Sequence, residues 1–304
     1  MPAGLKGRVL VTGAAGFVGR HALPSLVAAG YEVHGVTLTP GEGLPPHARW
    51  HTADLLTPGA GARLVETVRP THLLHLAWTT EPGAYWTSEA NLRWVKASLE
   101  LLEAFGRAGG RRFVGAGSCA EYDWSVGELD EGKAADRPAT LYGRAKLAMG
   151  HLAAVAAELH GFTAAWGRLF FLYGPHEHPA RLVPTVARAL LAAQPAEVGD
   201  GRAERDFLSS EDAGAAFAAI VDAPVVGVVN IASGISVPVA DVVTRVATLI
   251  GREDLVRFGA RKAPAFEPPR LATAAHRLRH EVGFTPSLDL DTGLGRAVDF
   301  WRGR

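Results

Sequence analysis

Residues 9–19 (VLVTGAAGFVG) constrain the fold of this chain more than any other stretch. An apolar run leads into three glycines spaced by three, Gly13, Gly16 and Gly19, and apolar residues then recur at helical spacing. The pattern predicts a strand, a tight turn and a helix, which is the opening unit of a nucleotide-binding α/β sheet. Glycine lets the backbone approach a pyrophosphate, and the free amides of a helix start favour an anion, so we expect a dinucleotide here. Ala15 stands where the GxGxxG fingerprint has a glycine.

Composition argues for a small-molecule ligand and a reducing compartment. Acidic and basic residues number 31 each in 304 residues, so no net charge favours nucleic acid as a partner. Cys119 is the only cysteine, which excludes an intrachain disulfide. The sequence shows neither a signal-like apolar segment at its start nor an apolar run long enough for a membrane helix. We therefore expect a cytoplasmic protein with no membrane contact.

Short apolar strands alternate with amphipathic helical stretches through the first 170 residues. This alternation predicts an α/β fold with a doubly wound parallel sheet of the Rossmann type. The predicted strands are 9–11, 32–37, 50–54, 73–77, 112–116 and 162–169, and the predicted helices begin near 17 and span 88–108 and 141–160.

After residue 170 the alternation weakens and prolines punctuate the chain. A helix is predicted over 183–193, and residues 237–304 are predicted to be helical with proline-rich loops. Residues 225–231 are apolar enough to rejoin the main sheet. We therefore predict a nucleotide-binding domain over 1–170 plus about 205–235, and a smaller, mostly helical substrate lobe over 171–204 and 236–304.

Three residues form the candidate catalytic set. Tyr142 and Lys146 stand four apart at the start of a predicted helix, so their side chains share one face. A phenol ionises near pH 10, and a nearby ammonium stabilises its phenolate, which suits an acid/base tyrosine. Ser118 follows the fifth strand, at the carboxyl edge where open α/β sheets bind ligands. We expect Ser118 to hydrogen-bond the same substrate oxygen as Tyr142.

The motifs TGAAGFVG, LHLAW, GSCAEY, YGRAK, RLFFLYGP and RDFLSSEDA occur in this order over nearly the whole chain. In this respect the chain resembles the extended short-chain dehydrogenases/reductases, the nucleotide-sugar epimerase, dehydratase and reductase family. The resemblance implies that Tyr142 is the acid/base, that Lys146 is its electrostatic partner and a ribose ligand, and that Ser118 holds the reacting oxygen. It also implies a homodimer formed through the helices predicted over 88–108 and 141–160.

The same resemblance, with the glycine turn, gives two sets of binding candidates. The cofactor candidates are Gly13, Ala15, Gly16, Phe17, Val18, Gly19, Thr37, Asp54, Leu55, Leu76, Ala77, Trp78, Asn91, Tyr142 and Lys146. The substrate candidates are Trp78, Thr79, Cys119, Glu121, Phe171, Arg181, Arg205 and Arg270. Among these, Arg205 stands where the family keeps an arginine for the substrate diphosphate, and Arg181 and Arg270 are alternatives for that role.

Departures from the family pattern narrow the reaction. Sugar dehydratases place Asp and Glu directly after the hydroxyl residue, but here these positions are Cys119 and Ala120. The cysteine and histidine of GDP-fucose synthases are replaced by Ala120 and Arg181. These two departures disfavour dehydration and 3,5-epimerisation. A third departure is Phe171, which replaces the asparagine that usually precedes the YGP turn.

The residue that ends the second strand bears on cofactor choice. An acidic residue there would bind the ribose diol and repel a 2′-phosphate, but this chain has Thr37. Arg20 or Arg49 could reach a 2′-phosphate. We therefore expect NADP or NAD, with a slight preference for NADP.

These observations predict an NAD(P)-dependent oxidoreductase acting on a nucleotide-activated sugar, with a 4-keto sugar reductase preferred. A 4-epimerase with tightly bound NAD and a non-catalytic dinucleotide-binding sensor remain as alternatives. No metal is expected, because Arg277 and Arg279 interleave the histidines 276 and 280, and the segment 176–178 (HEH) is predicted to be a polar loop rim.

Overall fold

The computed structural model describes residues 4–39, 43–262 and 268–304. The helices within these ranges are α1 (Gly19–Ala28), α2 (Ala60–Val68), α3 (Ala90–Arg107), α4 (Leu141–His160), α5 (Leu182–Leu191), α6 (Ser210–Asp222), α7 (Val239–Ile250), α8 (His276–His280) and α9 (Leu290–Arg302). The strands are β1 (Gly7–Thr12), β2 (Tyr31–Thr37), β3 (Arg49–Thr52), β4 (His72–His75), β5 (Arg112–Ser118), β6 (Thr163–Leu169), β7 (Phe171–Tyr173), β8 (Ala196–Glu197), β9 (Glu204–Ser209), β10 (Gly227–Ile231), β11 (Ser236–Pro238), β12 (Val256–Arg257) and β13 (Arg270–Leu271).

The main sheet has seven parallel strands in the order β10-β6-β5-β4-β1-β2-β3. Helices α1 and α6 pack on one face, and α2, α3 and α4 pack on the other. Both faces of the sheet are therefore buried, which explains why its strands read as continuous apolar runs. The predicted doubly wound Rossmann sheet is confirmed, and residues 225–231 do rejoin it, as β10 beside β6.

Two helices of this half were not predicted. Helix α2 comes after a proline and glycine turn. Helix α6 directly follows β9, and its N-cap residue Ser209 accepts a hydrogen bond from the Asp212 N–H at 2.9 Å. Strand β3 ends two residues earlier than predicted, because Asp54 instead accepts the Leu56 N–H at 2.9 Å within a turn.

The C-terminal part of the chain has a core of its own. Helices α5, α7 and α9 bury a cluster that includes Val183, Val243 and Leu294. A smaller sheet joins β11, β9 and β13, with β7 also paired to β9. Strand β9 thus belongs to this second sheet, although it lies in the segment from 205 that we grouped with the main sheet. The chain crosses between the two parts more than once, since β10 returns to the main sheet after β7 and β9.

None of the helices in the described ranges is both long and apolar enough to cross a membrane.

Candidate active site

The glycine turn between β1 and α1 is shaped to receive a phosphate-bearing ligand. Gly13 has φ 66°, and a Cβ on it would lie 2.9 Å from the Ala77 N atom. The turn therefore packs directly on the chain that leaves β4. Helix α1 has no acidic residue in its first turn and no side-chain cap, so its amides are available to an anion. These features fit the pyrophosphate of a dinucleotide.

A buried histidine joins the turn to its neighbouring strand. His75 contacts the Thr12 hydroxyl through Nδ1 at 2.7 Å and the Ser98 hydroxyl through Nε2 at 2.8 Å. Thr12 Oγ1 also accepts the Ala77 N–H at 3.2 Å. The carboxyl ends of β1 and β4 are therefore held together beside the turn. The other predicted cofactor residues near this edge are Thr37, Asp54, Leu55 and Leu76.

Tyr142, the predicted catalytic tyrosine, lies in the first turn of α4. Thr140 caps this helix by accepting the Gly143 N–H at 3.1 Å. A Cβ on Gly143 would lie 2.2 Å from the Ala120 carbonyl oxygen, so only glycine lets α4 approach the short 3₁₀ turn Cys119–Glu121 this closely. That approach brings Tyr142 next to Ser118, whose hydroxyl acts on the phenol. That the two residues bind the same substrate oxygen stays a prediction.

Tyr142 is almost fully enclosed by aromatic rings. The rings of Tyr85 and Trp86 meet it edge-on, with centroids 4.8 and 5.7 Å away. Its backbone N–H also donates to the Trp86 carbonyl at 3.1 Å. Burial raises the pKa of the Tyr142 phenol, while the hydrogen bond with Ser118 acts in the opposite direction. The Tyr142 phenol is therefore protonated, and so uncharged, at neutral pH.

Lys146 is buried one turn further along α4. Its Nζ donates to the Ala116 carbonyl at 2.8 Å and lies 3.9 Å from the Trp78 ring centroid and 6.0 Å from that of Tyr142. Burial lowers the pKa of Lys146 to about 7, and the Glu121 charge opposes this shift. Any group that brings negative charge or acceptors next to Lys146 will favour its charged form, and a charged Lys146 will favour the Tyr142 phenolate.

Trp78 and Asn91 organise the loop that covers this centre. Trp78 Nε1 donates to Asn91 Oδ1 at 2.9 Å, and Asn91 Nδ2 donates to the carbonyls of Tyr85 and Ser88, each at 2.8 Å. Both ends of the Asn91 amide are thus used inside the protein. These bonds hold Trp78 and the loop in place, and a direct cofactor contact by Asn91 stays a prediction. Thr79 is likewise engaged, since its hydroxyl accepts the Trp94 Nε1–H at 2.8 Å.

Two of the predicted substrate arginines lie beside aromatic residues near the site. The Arg181 guanidinium sits 5.3 Å from the Tyr85 ring centroid and donates to the Thr80 carbonyl at 3.4 Å. Arg205 is buried, with its guanidinium 5.3 Å from the ring centroid of Phe171, and its charge opposes the rise that burial causes in the pKa of the Cys119 thiol. Arg181, just before α5, and Arg205, on β9, therefore both bring positive charge to the site, which suits an anionic substrate.

Three predicted substrate contacts are buried or already paired with other residues in the structure. Glu121 is fully buried and bonded to neighbouring side chains. Cys119 is also buried, and burial raises the pKa of its thiol to about 12. Arg270 forms ion pairs with Glu128 and Glu204, so its guanidinium is already engaged.

Sequence reasoning missed Tyr85 and the burial of Glu177. Tyr85 could have been found only from the density of aromatics in residues 78–86. Glu177 lies in the segment predicted to be a polar rim, but it is buried, and within the described ranges its Oε2 atom has no hydrogen-bond partner. Burial raises the pKa of Glu177 to about 8. The described residues contain no group of three or more His, Cys, Asp or Glu side chains that could hold a metal ion.

Comparison with known proteins identifies the family. The model of the NAD-dependent epimerase/dehydratase family matches residues 9–232. The chain belongs to this family. A UDP-glucose 4-epimerase of Mycolicibacterium smegmatis is 26% identical over 98% of this chain and 99% of that protein. A GDP-6-deoxy-D-mannose reductase of Pseudomonas aeruginosa is 28% identical over 98% of each.

A solved structure of similar fold agrees with this assignment. MoeE5 in complex with UDP-glucose and NAD is 30% identical and matches with a TM-score of 0.86, over 98% of this chain and 99% of MoeE5. The resemblance to extended short-chain dehydrogenases/reductases is confirmed. The protein is an enzyme of the nucleotide-sugar epimerase, dehydratase and reductase family that uses an NAD-type cofactor, and the sensor alternative is set aside.

Proposed function

We propose that the protein is a 4-epimerase of a UDP-activated hexose or hexuronate and that it works with NAD kept bound through the cycle. The observation that carries this proposal is the buried contact of Tyr142 with Ser118, one helical turn from Lys146. Such a set can take the proton from a sugar hydroxyl and return it to the resulting carbonyl. Bound NAD would accept and return the hydride, which no side chain of this chain can do.

Each residue of the set has a separate role in this proposal. The Ser118 hydroxyl orients the reacting sugar oxygen, and Tyr142 removes or supplies its proton. Charged Lys146 makes the Tyr142 phenolate accessible by stabilising negative charge beside it. The aromatic loop of residues 78–86 excludes water from the phenol, which strengthens these interactions.

The arginines support NAD rather than the NADP that the sequence slightly favoured. Arg20 donates to the Ala15 carbonyl at 2.8 Å and to the Gly16 carbonyl at 3.4 Å. Arg49 pairs with Glu32 at 2.9 Å, at the start of β3 rather than beside Thr37 at the end of β2. Both candidate partners of a 2′-phosphate are thus engaged elsewhere. NAD is also the cofactor in the complexes of MoeE5.

The substrate class follows from charge and from the relatives. Arg205 and Arg181 are the groups we assign to the diphosphate and to the sugar side of the substrate. MoeE5 is described in complex with UDP-glucose and with UDP-glucuronic acid, at 30% identity in each case. We assign cofactor binding to residues 1–170 plus about 205–235, apart from Arg205 on β9, and substrate binding to Arg205 and to residues 171–204 and 236–304.

A 4-keto sugar reductase is the second candidate. Thr37 places no carboxylate at the end of β2, so nothing there repels NADP. A reductase of GDP-6-deoxy-D-mannose is also among the relatives. The two candidates use the same residues and differ in whether the cofactor leaves after one hydride transfer.

Cofactor content and turnover separate the candidates. The purified protein would be denatured and the released nucleotide quantified, and UDP-glucose and UDP-glucuronic acid would be followed by NMR without added cofactor. Released NAD together with interconversion of two epimers supports the epimerase. Consumption of NADPH with a 4-keto sugar, and no interconversion, would replace it with the reductase.

We further propose a homodimer through α3 and α4. The α4 side chains of Leu152, Val155 and Leu159 are 39%, 59% and 76% exposed along one face, and Leu92 of α3 is 59% exposed. A second copy of the chain would cover this apolar face. Light scattering coupled to gel filtration should give twice the chain mass, and V155E should give the monomer.

A further inference from the structure

Glu121 has an unusually complete set of partners for a buried carboxylate. It accepts the Ser118 backbone N–H at 2.8 Å, the Arg168 Nε–H at 2.7 Å, and the Trp166 Nε1–H at 3.0 and 3.1 Å to its two oxygens. The residue is fully buried. A buried charge is costly unless it is paired and hydrogen-bonded, and these donors meet that requirement. The carboxylate is therefore held in one orientation.

One of these bonds fixes the catalytic serine. The Ser118 hydroxyl accepts the Ala120 N–H at 3.2 Å while Glu121 accepts the Ser118 N–H, which makes a reciprocal capping box around a three-residue helix. The backbone of Ser118 cannot rotate without breaking the bond to Glu121. Because Glu121 is itself tied to Arg168 on β6, the position of Ser118 depends on an ion pair that does not touch the substrate pocket.

The charge of Glu121 also acts on the other two catalytic residues. The Glu121 charge opposes the decrease that burial causes in the pKa of Lys146. It reinforces the increase that burial causes in the pKa of Tyr142. Lys146 is further surrounded by His75, by the Trp78 ring and by the Ala116 carbonyl.

Tyr142 and Glu121 have further charged and titratable neighbours. Tyr142 is faced by Tyr85 and Cys119 in addition to Ser118. Glu121 is faced by Arg168, which in turn pairs with Asp136 at 2.7 Å. Burial raises the pKa of Glu121, while Arg168 and the N–H donors oppose that shift. The ionised carboxylate is the form that can accept from all of its donors.

We propose that Glu121 is a positioning residue of the catalytic centre, which ties the Ser118 backbone to Arg168 and places a fixed negative charge near Lys146 and Tyr142. This inference rests on the catalytic roles given under the proposed function. Glu121 touches neither substrate nor cofactor in this scheme. It acts through Ser118 and through the protonation of the lysine and tyrosine.

The first test compares E121Q with D136N. Both substitutions remove a carboxylate from Arg168, but only Glu121 contacts Ser118, so D136N controls for the loss of an Arg168 ion pair. We expect kcat/KM of E121Q to fall roughly 10- to 100-fold and both limbs of its pH profile to move to lower pH. D136N should keep kcat/KM within about twofold and an unchanged profile.

The second test needs no substrate. The chain has five lysines, so ¹³C-lysine labelling gives a simple spectrum in which K146R identifies the Lys146 signal. The wild-type signal should titrate near pH 7, because burial lowers the pKa of Lys146 to about 7. Its midpoint should fall in E121Q and stay unchanged in D136N. If the wild-type protein is inactive on every sugar nucleotide, the proposed function is contradicted. The lysine titration still tests the effect of Glu121, because it requires no activity.

The inference is overturned if E121Q and D136N lose the same stability and E121Q keeps the wild-type pH profile and lysine midpoint, since Glu121 would then be structural only. E121Q could unfold because it leaves Arg168 with one buried partner fewer. In that case E121Q/R168M, which removes both members of the pair, is measured in the same two ways. The same shifts are expected in the double variant, and their absence contradicts the proposal.

Discussion

The cofactor side and the catalytic side of this active site are built in different ways. At the glycine turn the backbone forms the site, through the positive φ of Gly13, its close approach to Ala77 and the uncapped start of α1. At the catalytic centre the side chains form the site, because Tyr142 is enclosed by Tyr85 and Trp86 from a loop more than 50 residues away. A site made by the backbone leaves a local sequence pattern, whereas a site made by distant side chains does not.

The largest effect is expected from Y142F, which changes the catalytic side alone. The phenylalanine ring keeps the contacts with Tyr85 and Trp86 but cannot carry a proton, so kcat should fall roughly 10³-fold. Affinity for NAD should stay within about twofold, because the glycine turn is untouched. Steady-state kinetics and a fluorescence titration with NAD measure the two quantities.

Y85F is the matched control for this substitution. It keeps the edge-on ring against Tyr142 and removes a hydroxyl that interacts with Arg181 and carries no proton of the reaction, so kcat should change less than about tenfold. If Y142F retains most of the wild-type kcat, the division of the site into two sides fails.

G13A is the converse experiment, because it changes the cofactor side alone. A side chain at φ 66° costs about 1–2 kcal/mol, and the added Cβ would lie 2.9 Å from Ala77 N. We expect NAD to bind about 10- to 100-fold more weakly, with kcat at saturating NAD little changed. G295A, on α9 with open space around it, should bind NAD like the wild type. Equal NAD affinity in G13A and the wild type would show that the turn does not form the pyrophosphate site.

The same difference explains which predictions from sequence succeeded. The parallel sheet, the glycine turn and the Tyr142–Lys146 spacing depend on neighbours within a few residues, and all are present in the structure. Glu121 follows Ser118 closely in sequence, yet its role depends on Arg168, 47 residues later. Its burial could not be predicted, because sequence spacing cannot show which face of a three-residue turn is buried.

R181A tests the substrate side of the catalytic centre. The Arg181 guanidinium lies over Tyr85 and donates to the Thr80 carbonyl, so it bridges the loop 78–86 and the start of α5. Loss of one hydrogen bond from a charged group should raise KM for the sugar nucleotide about tenfold or more, with a smaller change in kcat. R202A removes a side chain that is 89% exposed and should leave KM unchanged. An unchanged KM in R181A would take Arg181 out of the substrate site.

The smallest effect is expected at His75, which joins β1 to β4 under the cofactor side. Burial lowers the pKa of His75 to about 3, while an unfolded histidine takes up a proton near pH 6.5. Between these values the unfolded state binds more protons, so this histidine makes the free energy of unfolding fall as pH is lowered from about 6.5 toward 3. One proton corresponds to about 1.4 kcal/mol per pH unit, and H75Q should reduce the slope by up to that amount. Urea unfolding at several pH values measures the slope, and H151Q, which removes an exposed ring, should match the wild type. If the pH dependence of the free energy of unfolding is unchanged in H75Q, His75 is already protonated in the folded protein. The carboxyl ends of β1 and β4 would then be linked by a charged imidazolium that donates to Thr12 and Ser98.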